Sequence, residues 1–199
     1  MRTATVARKS KETTIAVTLK LDGSGKTSVK TGMPFLDHML TLVGTHGLYD
    51  LTVKASGDLE IDRHHTNEDI GIVLGQAFDR ALRDRKGIAR FGFAYVPMDE
   101  ALARVVLDFS GRSKLVLRDG RGTRGKGLSS STDYSWGDAE HFLESFARTA
   151  KLTIHIDILA GADFHHTCEA VFKALGRALA QATRLDPRVK GVPSSKGQL

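Results

Sequence analysis

The chain has little sulfur chemistry, few aromatic residues and no long apolar run. One cysteine, Cys168, among 199 residues excludes an intramolecular disulfide framework and fits a reducing compartment. It is expected to be a small, partly buried side chain. No apolar stretch approaches the roughly 18 to 20 residues that cross a bilayer. The N-terminal "MRTATVARKSKETT" has basic residues but not the apolar core of a secretory signal. A cytoplasmic protein without membrane partners is the expectation. Aromatics are 7% of the residues, and neither a zinc-finger spacing nor an aromatic RNA-binding signature is present. Nucleic acid is therefore not the expected partner, although the formal charge is +6. The basic residues are scattered and are densest in "RDGRGTRGKG" (118–127), which reads as a flexible loop. Such a balance points instead to a phosphorylated small molecule.

What the chain does have is an internal repeat. "ETTIAVTLKLDGSGK" (12–26) aligns with "EALARVVLDFSGRSK" (100–114). Each begins with a glutamate, alternates through β-branched residues and turns at a glycine. A short helical segment with one histidine follows, "PFLDHMLTLV" and "AEHFLESFAR". Next come the strands "YDLTVKAS" (49–56) and "KLTIHIDIL" (151–159), and then two long amphipathic segments, 68–82 and 169–183. The predicted fold is α+β, an internal duplication of two β-β-β-α-β-α halves. Two four-stranded sheets would pack through a central layer of four helices. The halves are 1–87 and 88–199, together forming one compact unit. Strands separated by "DGSG" or "PMDE" are expected to form antiparallel pairs.

The repeat extends to the histidines. "HHTNE" (64–68) and "HHTCE" (165–169) each open a long helix. Positions i and i+4 share a helical face, so His64 can meet Glu68 and His165 can meet Glu169. His65 and His166 point about 100° away. His38 and His141 in the short helices complete a set of six histidines and two glutamates. One metal cannot easily use ligands in two directions, whereas two can. Nitrogen and carboxylate donors without thiolate suit Mn, Fe, Co, Ni or Zn. A lone histidine would be read as a surface residue, as His46 and His155 are; two matching sets are harder to dismiss.

The chain resembles the imidazoleglycerol-phosphate dehydratase family. The resemblance is carried nearly end to end by "PFLDHML", "HHTNED", "KGIARFG", "MDEAL", "DFSGR", "EHFLES", "HHTCEA" and "PSSKG". It implies two Mn²⁺ per active site, with sites formed between neighbouring subunits that associate into trimers and a 24-subunit shell. Carried over, one ligand set is His38, His65, His165 and Glu169; the other is His64, Glu68, His141 and His166. Arg90, Arg112, Lys173, Ser194, Ser195 and Lys196 would bind the substrate phosphate, for which a guanidinium fork is suited. Arg63 stands where the family usually has an acid, and the stretch 117–137 is atypical.

The implied reaction is dehydration of imidazole glycerol phosphate to the acetol phosphate in histidine biosynthesis. The proton to be lost sits on a carbon with no neighbouring carbonyl. Metal binding to the ring would favour an imidazolate able to expel hydroxide. Glu12 would then serve as acid and base near the side chain, counted with the ligands Glu68 and Glu169 among the catalytic residues. A metal-storage protein would explain the histidines but not the arginines and tail. A dinuclear hydrolase would usually carry more aspartates.

Overall fold

A computed structural model describes residues 1–119, 130 and 132–199. Most of the "RDGRGTRGKG" segment, and the middle of the atypical 117–137 stretch, lie outside the described residues. The first half runs β1 (Thr3–Lys9), β2 (Thr13–Lys20), β3 (Thr27–Lys30), α1 (Pro34–Gly47), β4 (Asp50–Gly57) and α2 (His64–Leu82). The second runs β5 (Phe91–Met98), β6 (Ala101–Asp108), β7 (Lys114–Asp119), α3 (Trp136–Ala150), β8 (Thr153–Ala160) and α4 (Phe164–Thr183). The order of elements is the same in both.

Each sheet has four strands, ordered β1-β2-β4-β3 and β5-β6-β8-β7. In β2 the alternate residues Thr13, Ile15, Val17 and Leu19 are buried and those between are exposed. That period of two lays an apolar face on the helices. β5 and β6 form the expected antiparallel pair across Asp99 and Glu100. The expected β2–β3 hairpin does not form. β3 instead lies beyond β4 and runs parallel to it, pairing Val29 with Val53. The reason is α1: a helix between two strands returns the chain to its starting end, so the strands it joins run parallel. β7, α3 and β8 repeat this arrangement.

The helices form the middle layer, where α2 packs on α3 and α1 on α4. The pairs approach closely at two glycines that sequence alignment places at equivalent positions. A Cβ on Gly75 would lie 2.6 Å from the Phe146 carbonyl oxygen, and one on Gly176 would lie 2.7 Å from that of Val43. One hydrophobic cluster runs through both halves. Cys168 lies fully inside it, deeper than the partly buried position expected.

Local sequence explains where the helices begin. Pro34 opens α1, a position where its missing N–H is not needed. Ser135 and Asp138 form a reciprocal capping box on α3. The Asp163 side chain caps α4 by accepting from the His166 backbone N–H at 2.9 Å.

Candidate metal centre

The close approach of α1 and α4 brings together residues from the two halves. His38 Nε2 lies 2.8 Å from Glu169 Oε1, and His165 Nε2 lies 3.0 Å from the same oxygen. One ligand atom from each of the three falls within 4.8 Å of the others. The i, i+4 expectation therefore holds for His165 and Glu169. Phe35 packs edge-on against His165 and stacks on Phe164 and Tyr134. An open cleft of about 640 Å³, lined by Phe35, His38, Arg63, Tyr134 and His165, leads to the triad.

Two imidazole nitrogens and a carboxylate oxygen on one point form a donor set for a borderline divalent cation. Burial pushes the Glu169 carboxyl up, but bonds from Lys173, His38 and His165 outweigh it and hold the pKa at about 2. The group is thus a carboxylate at neutral pH, as a ligand must be. Lys173 Nζ sits 2.6 Å from Glu169 Oε2 and 3.2 Å from Met98 Sδ.

The second predicted set is only partly gathered. His64 Nδ1 and His141 Nδ1 are 3.0 Å apart, but Glu68 is turned to Arg148 at 2.9 Å. His65 and His166 stand outside both groups, each beside an acid. His65 Nδ1 is 3.1 Å from Asp58 Oδ2 and 3.9 Å from Glu12 Oε2. Asp58 in first place, then Glu12, raises the His65 pKa. His166 Nδ1 is 2.7 Å from Glu100 Oε2, which raises its pKa in the same way. A partner of this kind fixes the ring nitrogen that faces a metal. Sequence reading missed Asp58 and Arg148. The acids in "DLEIDRHH" were the only visible signal, and they did not say which one reaches the ring.

The repeat-equivalent glutamates differ. Glu100 accepts backbone N–H bonds from Asp163 and Ala162 at 3.0 and 3.2 Å as well as contacting His166. The Asp163 bond, followed by that to His166, holds the Glu100 pKa at about 2. Among the described residues Glu12 makes no such bonds through its carboxylate, and 56% of its side-chain surface is open.

The predicted phosphate group is also divided. Arg90, at φ 72°, grips Asp108 with Nε and Nη2 at 2.7 and 3.1 Å and donates from Nη1 to the Pro193 carbonyl at 2.7 Å. It thereby holds the tail containing Ser194, Ser195 and Lys196. The tail end reaches the β6–β7 loop, where a Cβ on Gly111 would lie 2.5 Å from the Leu199 carbonyl carbon. Arg112, exposed, is next on that loop. Arg90, Arg112 and the tail thus share one region. Lys173 does not join them, because the Arg90 N–H bonds Ala182 near the far end of α4. Lys173 to Ala182 is roughly 14 Å along the helix at its usual rise.

A family model described as imidazoleglycerol-phosphate dehydratase matches residues 31–179. The imidazoleglycerol-phosphate dehydratase of Pelobacter propionicus is 52% identical over 198 residues, covering 100% of this chain and 99% of its own. That of Bacillus pumilus is 49% identical over 199 residues, with 100% of both covered. Among solved structures, the Staphylococcus aureus enzyme has a TM-score of 0.79 at 36% identity, covering 92% of this chain and 99% of its own. The Pyrococcus furiosus enzyme, solved in complex with (S)-C348, has a TM-score of 0.81 at 36% identity, with 98% and 100% covered. With the fold, the paired histidine segments and these matches in agreement, the chain belongs to the imidazoleglycerol-phosphate dehydratase family, the hydro-lyases of histidine biosynthesis.

Proposed function

We propose that this family member dehydrates imidazole glycerol phosphate to imidazole acetol phosphate with the help of two divalent ions, Mn²⁺ being the ion the resemblance implies. The convergence of His38, His165 and Glu169 from opposite halves of the chain carries this reading. His65 would be the fourth ligand of that ion, and His64, Glu68, His141 and His166 would hold the other. When bound, the ions would lower the pKa of the ring N–H, and the deprotonated ring is the electron source for loss of the hydroxyl.

The rest of the work falls to side chains. Glu12, with an open carboxylate, would take the proton from the carbon of the substrate side chain and return one as the enol becomes the ketone. Acid–base help of this type is worth roughly 10²- to 10⁴-fold. Arg112 and the tail residues Ser194, Ser195 and Lys196 bind the phosphate, with Arg90 holding the tail at Pro193. Lys173, midway along α4 and paired with Glu169, reaches the phosphate of a site to which a different copy contributes its tail.

The same logic applies to the ligands. Within one chain Glu68 is turned away to Arg148, and two ligands stand apart from their sets, His65 from one and His166 from the other. A neighbouring copy supplies them, which suits association into trimers and a 24-subunit shell. None of the helices among the described residues is long and apolar enough to cross a membrane, and the proposed setting is the cytoplasm.

The test is turnover of imidazole glycerol phosphate by chelator-stripped protein before and after adding Mn²⁺. Activity only with the metal is expected. Protein that rebinds two ions per chain and still forms no ketone would leave a storage or hydrolytic role instead.

A further inference from the structure

The β1–β2 turn that carries Glu12 is tied to α2 by a chain of hydrogen bonds with a single possible direction. Asp69, buried in the second turn of α2, accepts from Arg8 Nε at 2.8 Å and from Thr13 Oγ1. A carboxylate only accepts, so the Thr13 hydroxyl proton is committed to Asp69. Ser10 Oγ, 3.1 Å from Thr13 Oγ1, must then donate to it. The Ser10 oxygen is left to accept from the backbone N–H groups of Glu12 and Thr13 at 3.2 and 3.0 Å. A bond from Ser10 N–H to the Thr13 carbonyl at 2.9 Å closes the turn.

Among the described residues the second half has nothing like it. By the repeat alignment Ser10, Thr13 and Asp69 correspond to Met98, Ala101 and Ala170, none with a side-chain hydroxyl or carboxylate. There the equivalent glutamate, Glu100, is gripped by its own carboxylate. One glutamate is held by its head and the other by its backbone. Only the second arrangement fixes a residue while leaving both carboxylate oxygens available to a substrate.

We infer that Asp69, acting through Thr13 and Ser10, is the positioning residue that holds Glu12 for proton transfer. The inference rests on the proposed acid–base role of Glu12. Its consequence is kinetic, since a displacement of about 1 Å in a reacting group can cost on the order of 10²-fold in rate.

The test uses the full-length, Mn²⁺-loaded assembly and a double-mutant comparison. Thr13→Val is expected to lower kcat roughly 10- to 100-fold, with KM and bound metal unchanged. Thr13→Ser, which keeps the hydroxyl, is expected to restore most of the rate. In a Glu12→Gln background Thr13→Val should cost nothing further, because the group it positions is gone. A merely structural role would give the same loss in both backgrounds, and that additive result would overturn the inference. So would a Thr13→Val protein with the kcat of the parent. Should Thr13→Val fail to fold, Ser10→Ala at the exposed side of the turn carries the same comparison. Normal turnover by Glu12→Gln alone would remove Glu12 from the mechanism and this inference with it. An impaired Glu12→Gln with additive Thr13→Val would sink the inference only.

Discussion

His38 and Glu169, 131 residues apart in the chain, meet at 2.8 Å where α1 crosses α4. The contact joins one half of the chain to the other, and it fixes two ligands of one proposed ion. Replacing Glu169 by Gln keeps the shape and removes the charge. Metal analysis should show loss of one ion per chain, and turnover should fall by at least about 100-fold, beyond the 10- to 100-fold typical when only a supporting partner is removed. A Glu169→Gln protein retaining both ions would contradict the ligand assignment.

The crossing itself depends on Gly176. Adding a methyl group there sets it 2.7 Å from a backbone oxygen of α1, which cannot swing away as a side-chain tip would. Gly176→Ala should destabilise the protein by about 1–3 kcal/mol through overpacking and weaken Mn²⁺ binding by separating His38 from Glu169. Denaturant unfolding and metal titration together check this. The open position Gly191, with nothing within 4 Å of a new Cβ, is the control for stability.

Arg90 secures the tail at Pro193 and is itself secured by Asp108. Lys in its place can offer a point charge but not the fork. Arg90→Lys should therefore expose residues 191–199 to proteolysis and raise KM for the phosphorylated substrate more than it lowers kcat. Limited proteolysis read by mass spectrometry, with steady-state kinetics alongside, measures both. An unchanged KM would separate Arg90 from phosphate binding.

Asp50 supplies a pH-dependent element away from the site. Its carboxylate accepts from the Ser24 N–H at 2.8 Å and the Lys26 N–H at 3.3 Å. The Ser24 bond, above all, lowers its pKa to about 2. The folded value is depressed below the unfolded value of about 3.9. The stabilisation is therefore present above pH 4 and is lost as pH falls through about 2. Asp50→Asn should melt below the parent near pH 7, and the gap should narrow steadily from about pH 4 toward pH 2. A gap that stays constant over that range would contradict the charge-based explanation.

Much of this was legible in the sequence because it repeats. Period-two strands and the His-His segments at the starts of α2 and α4 could be read locally, and duplication made each reading support the other. The parallel β3–β4 pair was missed because a tight "DGSG" turn suggested a hairpin, whereas the later α1 crossover decides the pairing. The helix glycines were in plain view in "VLGQA" and "ALGRA", but a close crossing cannot be inferred without knowing the neighbour. Asp58, Asp69 and Arg148 matter through contacts far away in sequence or through which of several acids reaches a ring. No local pattern encodes that. Lys173 was grouped with the tail by resemblance alone, and in a single chain it sits midway along α4 while Arg90, which holds the tail, meets the helix's C-terminal end.

Division of the site between copies can be tested with two dead variants. His38→Ala removes a ligand from the His38–His165–Glu169 triad, and His65→Ala removes the member proposed to arrive from a neighbour. The measurement is Mn²⁺-dependent dehydration of imidazole glycerol phosphate by each variant alone and by a mixed assembly, co-expressed with different tags and purified on both. Each alone should be inactive, and the mixed assembly should recover activity, because some sites then combine an intact triad with an intact His65. A mixed assembly as inactive as its parents, with both chains present, would contradict a site shared between copies.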